Sequence, residues 1–293
     1  MDNLQRGELI NEGKTKKIFG IVGNDKQAVV EYKNAITAFD DPSFTKEFAT
    51  KAKYSNTTTC RSFEILNRAG IPTAYVKQLS DTEFIAERCT MIPLEVVARR
   101  YAFGSYLKRH PEYAVAAGEP PHRFDTPIVE FFLKTTKGGL KDSAGAVIVE
   151  GLDPKKGEED PFIQNPHDAQ WRLLNPKLME TDHESSLNRM IDSNRVLNGA
   201  TIDEMEKAII AALVALEEYL GTHDFKLVDF KIEFGMTQDG KVVISDVIDN
   251  DSWRLRDKDW KDVSKQSFRD GEDMSKIEDK YALVAALMEE SKQ

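Results

Sequence analysis

The sequence has two cysteines, Cys60 and Cys89, so a dense disulfide framework is excluded and at most one bridge can form. No Cys/His spacing matches a zinc site, and none of the histidines at 110, 122, 167, 183 and 223 joins a cysteine or serine in a nucleophile pattern. Long apolar runs are also missing. The longest, Ala208 to Leu216, is far short of a membrane span. The opening Met1-Asp2-Asn3-Leu4 lacks the basic-then-apolar order of a secretory leader. There is no basic excess: 40 Lys and Arg stand against 50 Asp and Glu, a net charge of −10, which disfavours binding along nucleic-acid phosphates. No GxxxxGK[ST] loop occurs, and no His-Arg-Asp loop of the protein-kinase kind. These absences lead us to expect a reduced, cytoplasmic protein that acts on small molecules, not on nucleic acid or membrane.

Hydrophobic residues make up 40% and charged residues 31%, ordinary for a globular chain. A length of 293 residues suggests two closely packed subdomains. We set the division at 1–90 and 91–293, with a hinge near Thr90 and Met91 ahead of Ile92-Pro93. Lys17 to Val22 and Gln27 to Tyr32 read as a hairpin around Gly23-Asn24-Asp25, with Gly13-Lys14-Thr15-Lys16 at its entrance. A helix is expected from about Ser55 to Ala69, stopped by Gly70 and Pro72, with short strands at 73–76 and 83–87. The stretch 138–166, rich in Gly, Pro and charge, reads as a loop or insertion with a short strand at 146–149. Thr201 and Glu204 have capping-box spacing before a helix at 202–220, whose stripe Ile202, Met205, Ile209, Leu213, Leu216 and Leu220 marks core packing. A final helix is expected at 275–290.

The most informative segment is Leu227 to Phe234. Val228, Phe230, Ile232 and Phe234 alternate with Asp229, Lys231 and Glu233, so the charged set shares one strand face. The next strand, Lys241 to Asp246, follows Asp239-Gly240, a favoured two-residue hairpin turn. Counting outward from that turn sets Glu233 opposite Asp246, whereas a longer turn through Thr237 would shift the register and unpair the two acids. Two facing carboxylates call for a cation between them, and Mg²⁺, which prefers oxygen ligands, fits. The bland alternative is a solvent-facing polar strand. Lys231 between the acids, and the polar run Asp249-Asn250-Asp251-Ser252-Trp253-Arg254 beyond them, favour a ligand site.

Two basic segments have the same double reading. Gly13-Lys14-Thr15-Lys16 is either a phosphate-covering flap or an exposed basic turn. Arg99-Arg100 through Gly104-Ser105 to Lys108-Arg109 offers a close backbone approach, a hydroxyl donor and arginines able to grip phosphate. The alternative there is a solvated basic helix face.

Together these segments resemble the SAICAR synthetase family. The resemblance is carried by Gly13-Lys14-Thr15-Lys16, Ile36-Thr37-Ala38-Phe39-Asp40, Met91-Ile92-Pro93-Leu94-Glu95, Arg99 with Gly104-Ser105 and Lys108-Arg109, Leu227 to Gly235, Ser245 to Leu255, and Lys265-Gln266-Ser267-Phe268-Arg269. It implies a two-subdomain α+β fold resembling ATP-grasp enzymes, with antiparallel sheets, flanking helices and ATP in the cleft between subdomains. The implied reaction joins L-aspartate to carboxyaminoimidazole ribonucleotide (CAIR) at the expense of ATP, with Mg²⁺, in a monomer or homodimer. Carried over by position, Lys14, Lys16, Met91 and Lys231 are expected to meet ATP, the backbone of Met91 meeting adenine. Glu233 and Asp246 are expected to hold the metal. Arg99, Ser105, Arg254 and Asp40 are expected to hold the ribonucleotide, and Lys231, Asp229 and Arg254 to form the catalytic set. The sequence departs from the family at Thr50-Lys51, where a Gly-Lys pair is commoner, and in the length of 138–166, near whose end Glu159-Asp160-Pro161 stands for an acidic segment. A chain ending at 293 is expected to leave no room for the carboxylase domain fused to this enzyme in animals.

Overall fold

The computed structural model describes residues 4–37, 45–265, 268 and 271–292. They fall into two compact units, one of residues 1–90, 212–227 and 235–293, the other of 91–211 and 228–234. The first transition lies at the expected division. The C-terminal elements, which the sequence division placed with the second part, cluster instead with the first.

The first unit is built on an antiparallel sheet in the order β1-β2-β3-β5-β4. Its strands are β1 (Arg6–Glu12), β2 (Lys16–Ile21), β3 (Asn24–Tyr32), β4 (Tyr75–Gln78) and β5 (Glu83–Glu87). Helix α1 (Lys51–Arg68) covers it and starts one turn earlier than the sequence suggests. It stops where expected: Gly70 takes φ +75°, and Ile71 N–H donates to Leu66 O at 3.0 Å. Phe63 of α1 stacks on Tyr75 of β4 with ring centroids 5.7 Å apart, which ties helix to sheet. Gly13 N–H donates to Lys16 O at 2.9 Å and closes the β1–β2 hairpin, so the lysines stand at its tip.

The second unit is also an antiparallel sheet. In it β6 (Leu94–Tyr101) pairs with β7 (Arg123–Leu133), after the short helix α2 (Ser105–Arg109). The sheet continues through β8 (Phe162–Ile163), β9 (Gln170–Leu174) and β10 (Ser186–Asp192). The stretch 138–166 is more regular than a loop. It holds a two-stranded ribbon, Leu140–Lys141 with Val147–Val149, and a 3-10 turn at Pro154–Lys156.

Helix α3 (Ile202–Gly221) has the capping box as expected: Glu204 N–H donates to Thr201 Oγ1 at 3.2 Å, and Thr201 N–H donates to Glu204 Oε2 at 3.2 Å. All six stripe residues are buried. Strand β11 (Lys226–Thr237) follows and crosses the second unit at residues 228–234, where Asp229 pairs with Arg99 of β6. Then come β12 (Val242–Ser245), β13 (Trp253–Arg256) and α4 (Met274–Glu289) in the first unit. Among the described residues no helix is long and apolar enough to cross a membrane.

The turn between β11 and β12 differs from expectation. Thr237 N–H donates to Lys241 O at 2.9 Å, Gly240 N–H to Thr237 O at 3.0 Å, and Lys241 N–H to the Thr237 hydroxyl at 3.1 Å. Gly240 has φ +78°, but Asp239 is not among the described residues with positive φ, so the two-residue turn does not form. The loop has three residues, and the register moves by one. β12 ends at Ser245, and Asp246 leaves the strand with φ +67°. The count that set Glu233 opposite Asp246 rested on the shorter turn and falls with it.

Candidate active site

In the second unit a group of charged side chains shares one sheet face. Glu95 and Arg99 of β6, Glu130 of β7, and Asp229, Lys231 and Glu233 of β11 alternate with inward apolar residues and share that face. They are not a solvent-facing polar set: Arg99 is 3% exposed, Asp229 4%, Glu130 4% and Glu233 5%. Buried charges persist only when paired, and these are. Arg99 Nη1 donates to Asp229 Oδ2 at 2.7 Å, and its Nε donates to Glu130 Oε2. Burial alone would push the Glu130 carboxyl up, but Arg99 and Arg109 hold it below its ordinary range.

Beside this pair, Lys231 Nζ donates to Glu95 Oε1 at 2.6 Å and lies 3.6 Å from Glu233 Oε1. Lys134, just past the end of β7, donates to the same Glu233 oxygen. Both lysines are partly exposed while Glu233 sits beneath them. The arrangement is a buried carboxylate under two outward-reaching ammonium groups, next to an arginine held between two acids. It offers cations to a phosphate and an anionic oxygen to a metal. The segment after Lys134 is pinned by Thr135, whose N–H donates to Asp160 Oδ1 at 2.7 Å; burial pushes the Asp160 carboxyl up to about 6.

The basic run at 99–109 is not a solvated helix face either. Arg99, Arg100 and Arg109 are all buried, and Gly104 turns the chain with φ 60° and ψ −129°, a conformation that suits glycine, so that Ser105 opens α2. Met91 is 42% exposed, and the next residue, Ile92, donates its N–H to Phe234 O at 2.9 Å.

The first unit holds a second set of charges. Lys16 Nζ donates to Asp246 Oδ1, so the expected flap lysine and the expected metal acid are brought together. Lys14 is exposed and Arg254, on β13, is half-buried. Asp40 lies outside the described residues, as do Ala38, Phe39, Gln266, Ser267 and Arg269. A cluster that sequence reasoning missed lies in this unit. Lys51, fully buried, stands 3.4 Å from Asp251 Oδ2, Lys265 stands 3.2 Å from the same oxygen, and the Tyr281 hydroxyl donates to Asp251. Burial opposes ionisation of Asp251, yet Lys51 and Lys265 carry its pKa well below the ordinary range, while burial and Asp251 raise that of Asp249. Glu130 and Lys134 were also missed. A lone acid inside the apolar run Ile128-Val129-Glu130-Phe131-Phe132-Leu133 was the available signal, because such an acid must find a buried partner.

Cys60 and Cys89 are both free, so the one bridge the sequence allowed is not formed. Burial raises the Cys60 thiol to about 12 and the Cys89 thiol to about 11, so neither is a ready nucleophile at neutral pH.

A family model described as SAICAR synthetase matches residues 9–147 and 174–286. The chain is 34% identical over 295 residues to the phosphoribosylaminoimidazole-succinocarboxamide synthase of Chloroflexus aurantiacus, covering 97% of each. It is also 34% identical to a probable multifunctional protein, ADE2, of Caenorhabditis elegans, and to a bifunctional carboxylase/synthetase of Drosophila melanogaster. The chain spans about half the length of these two relatives, 55% and 49%. Among solved structures, a SAICAR synthetase (Type-2) in complex with ADP superposes with a TM-score of 0.69 at 26% identity, over 96% of this chain and 97% of that one. The Pyrococcus horikoshii enzyme gives 0.67 at 25% identity, over 94% and 97%.

Proposed function

The chain belongs to the SAICAR synthetase family, and on that footing we propose that it is an ATP-dependent ligase of de novo purine biosynthesis that joins L-aspartate to the carboxylate of CAIR, giving SAICAR, ADP and phosphate. The observation that carries this reading is the buried Glu233 carboxylate under Lys134 and Lys231, beside the Arg99–Asp229 pair. It combines the charges that a phosphoryl transfer and a phosphorylated substrate both require.

Lys14, Lys16 and Lys231 are proposed to hold the ATP phosphates, and the backbone at Met91 to meet adenine. Arg99, Ser105, Arg254 and Asp40 are assigned to the ribonucleotide, with Asp229, Lys231 and Arg254 closest to the reacting groups. Glu233 and Asp246 supply hard carboxylate oxygens, the donor type Mg²⁺ takes, so the residue types suit the ion. When bound there, Mg²⁺ would neutralise phosphate charge.

A carboxylate is a poor acyl donor because it has no good leaving group. In the proposed mechanism a carboxylate oxygen of CAIR attacks the γ-phosphorus of ATP, the bond to the bridging oxygen breaks, and ADP departs. The aspartate amine then attacks the acyl carbon, phosphate leaves with that carboxylate oxygen, and the nitrogen loses a proton. Lysines neutralise the transferring group and the site orients both partners, so no covalent enzyme nucleophile is required. With both carboxylate oxygens of CAIR labelled with ¹⁸O, we expect one label in the released phosphate and one in the product amide. Unlabelled phosphate overturns the acyl-phosphate step.

A further inference from the structure

We propose that Glu130 is a positioning residue for ribonucleotide binding: it holds Arg99 on the sheet and Arg109 in α2, and so fixes the spacing between Arg99 and Ser105. The inference rests on the reading that Arg99 and Ser105 meet the ribonucleotide.

Glu130 lies within the apolar end of β7, next to Phe131, Phe132 and Leu133, and is 4% exposed. An ionised carboxylate there is stabilised only by full pairing. Its two oxygens serve different arginines: Oε2 accepts from Arg99 Nε, and Oε1 from Arg109 Nη2. Neither arginine is replaceable by a floating lysine charge, because each is oriented by other contacts. Arg99 also donates to Asp229 and lies over the Tyr106 ring at 5.8 Å. Arg109 donates to Pro176 O at 2.9 Å and lies over Phe132 and Phe162 at 5.4 and 5.2 Å.

Glu130 therefore ties together β6, which carries Arg99, and α2, which opens with Ser105 and ends with Arg109. Without its charge, two guanidinium groups are left facing one another in a dry site. Arg99 then retains Asp229 as an anchor but loses the bond that sets the plane of its guanidinium. A carboxylate that served packing alone would lower the folded fraction without selecting one substrate. A positioning carboxylate changes the affinity for one substrate.

The test compares Glu130→Gln, Glu130→Asp and Arg99→Lys with wild type in steady-state kinetics, each checked by thermal unfolding. For Glu130→Gln we expect KM for CAIR to rise by about tenfold, as for loss of one charged hydrogen bond, with KM for ATP within about twofold. Glu130→Asp, which keeps the charge but shortens the reach, should fall between the two. An unchanged CAIR KM in folded Glu130→Gln overturns the inference, and so does a fall in kcat with no selective change in any KM. If the glutamine variant does not fold, the aspartate variant decides by the same readouts. An unaffected CAIR KM in Arg99→Lys sinks the underlying ribonucleotide reading. A raised one there, with none in Glu130→Gln, sinks only the role of Glu130.

Discussion

Glu233→Gln is expected to lower kcat by about 10²–10³-fold, equivalent to roughly 3–4 kcal/mol of transition-state stabilisation, while KM for CAIR stays within about threefold. The substitution keeps the side chain's length and a carbonyl oxygen able to accept from Lys134, while Lys231 keeps its bond to Glu95, so the local packing has little reason to change. What it removes is the charge. In the wild type that charge is buried beneath two ammonium groups, where a lower dielectric makes it worth more than at the surface. In the proposed reaction charge develops on the transferring phosphoryl group, so the loss is expected on turnover rather than on ribonucleotide binding. Near-normal kcat in this variant, measured by ADP release, would remove Glu233 from the metal assignment.

Asp251→Asn is expected to cost about 3 kcal/mol of folding stability at pH 7, a fall of roughly 6–10 °C in Tm. The reason is what it leaves behind. Lys51 is fully buried, and Asp251 faces both it and Lys265; an amide cannot neutralise either. Because the folded pKa of Asp251 is depressed, its contribution is present above the unfolded carboxyl pKa, about 3.9, and is lost as pH falls through the lower folded value. The stability gap between variant and wild type should therefore stay constant from pH 8 to about 5 and close only in stronger acid. Asp249 has the opposite sign. Its raised folded pKa makes its charge unfavourable at neutral pH, so Asp249→Asn should cost little or stabilise. Chemical denaturation across this pH range checks both, and a gap that narrows between pH 8 and 6 contradicts the assignment to Asp251.

Local rules carried far in this chain where the determinants are local. The capping box at Thr201 and Glu204, the stripe of α3 and the alternation through Val228 to Phe234 are all set by side chains within a few residues, and each forms as expected. The β11–β12 turn shows where such rules stop. Asp239-Gly240 is a strong two-residue signal, but the Thr237 hydroxyl accepts the Lys241 N–H and lengthens the loop by one residue. The longer turn through Thr237 was the open alternative, and a two-residue preference alone does not decide against a side-chain competitor two positions away. The charged face was legible only in part. Periodicity places Asp229, Lys231 and Glu233 together, but the partners that make their burial tolerable, Arg99, Glu95 and Lys134, come from segments distant in sequence. The same holds for Lys51, whose partner Asp251 is far along the chain, and for Arg109, read as part of a basic run and found locked on a buried acid.

The measurement that bears most directly on the proposed function is ADP release with ATP and Mg²⁺, adding CAIR and aspartate separately and then together. A ligase gives sustained release only with both, in step with formation of the succinocarboxamide product. Release driven by CAIR alone and indifferent to aspartate would contradict the account and make the protein a kinase, or a ligase for another amine.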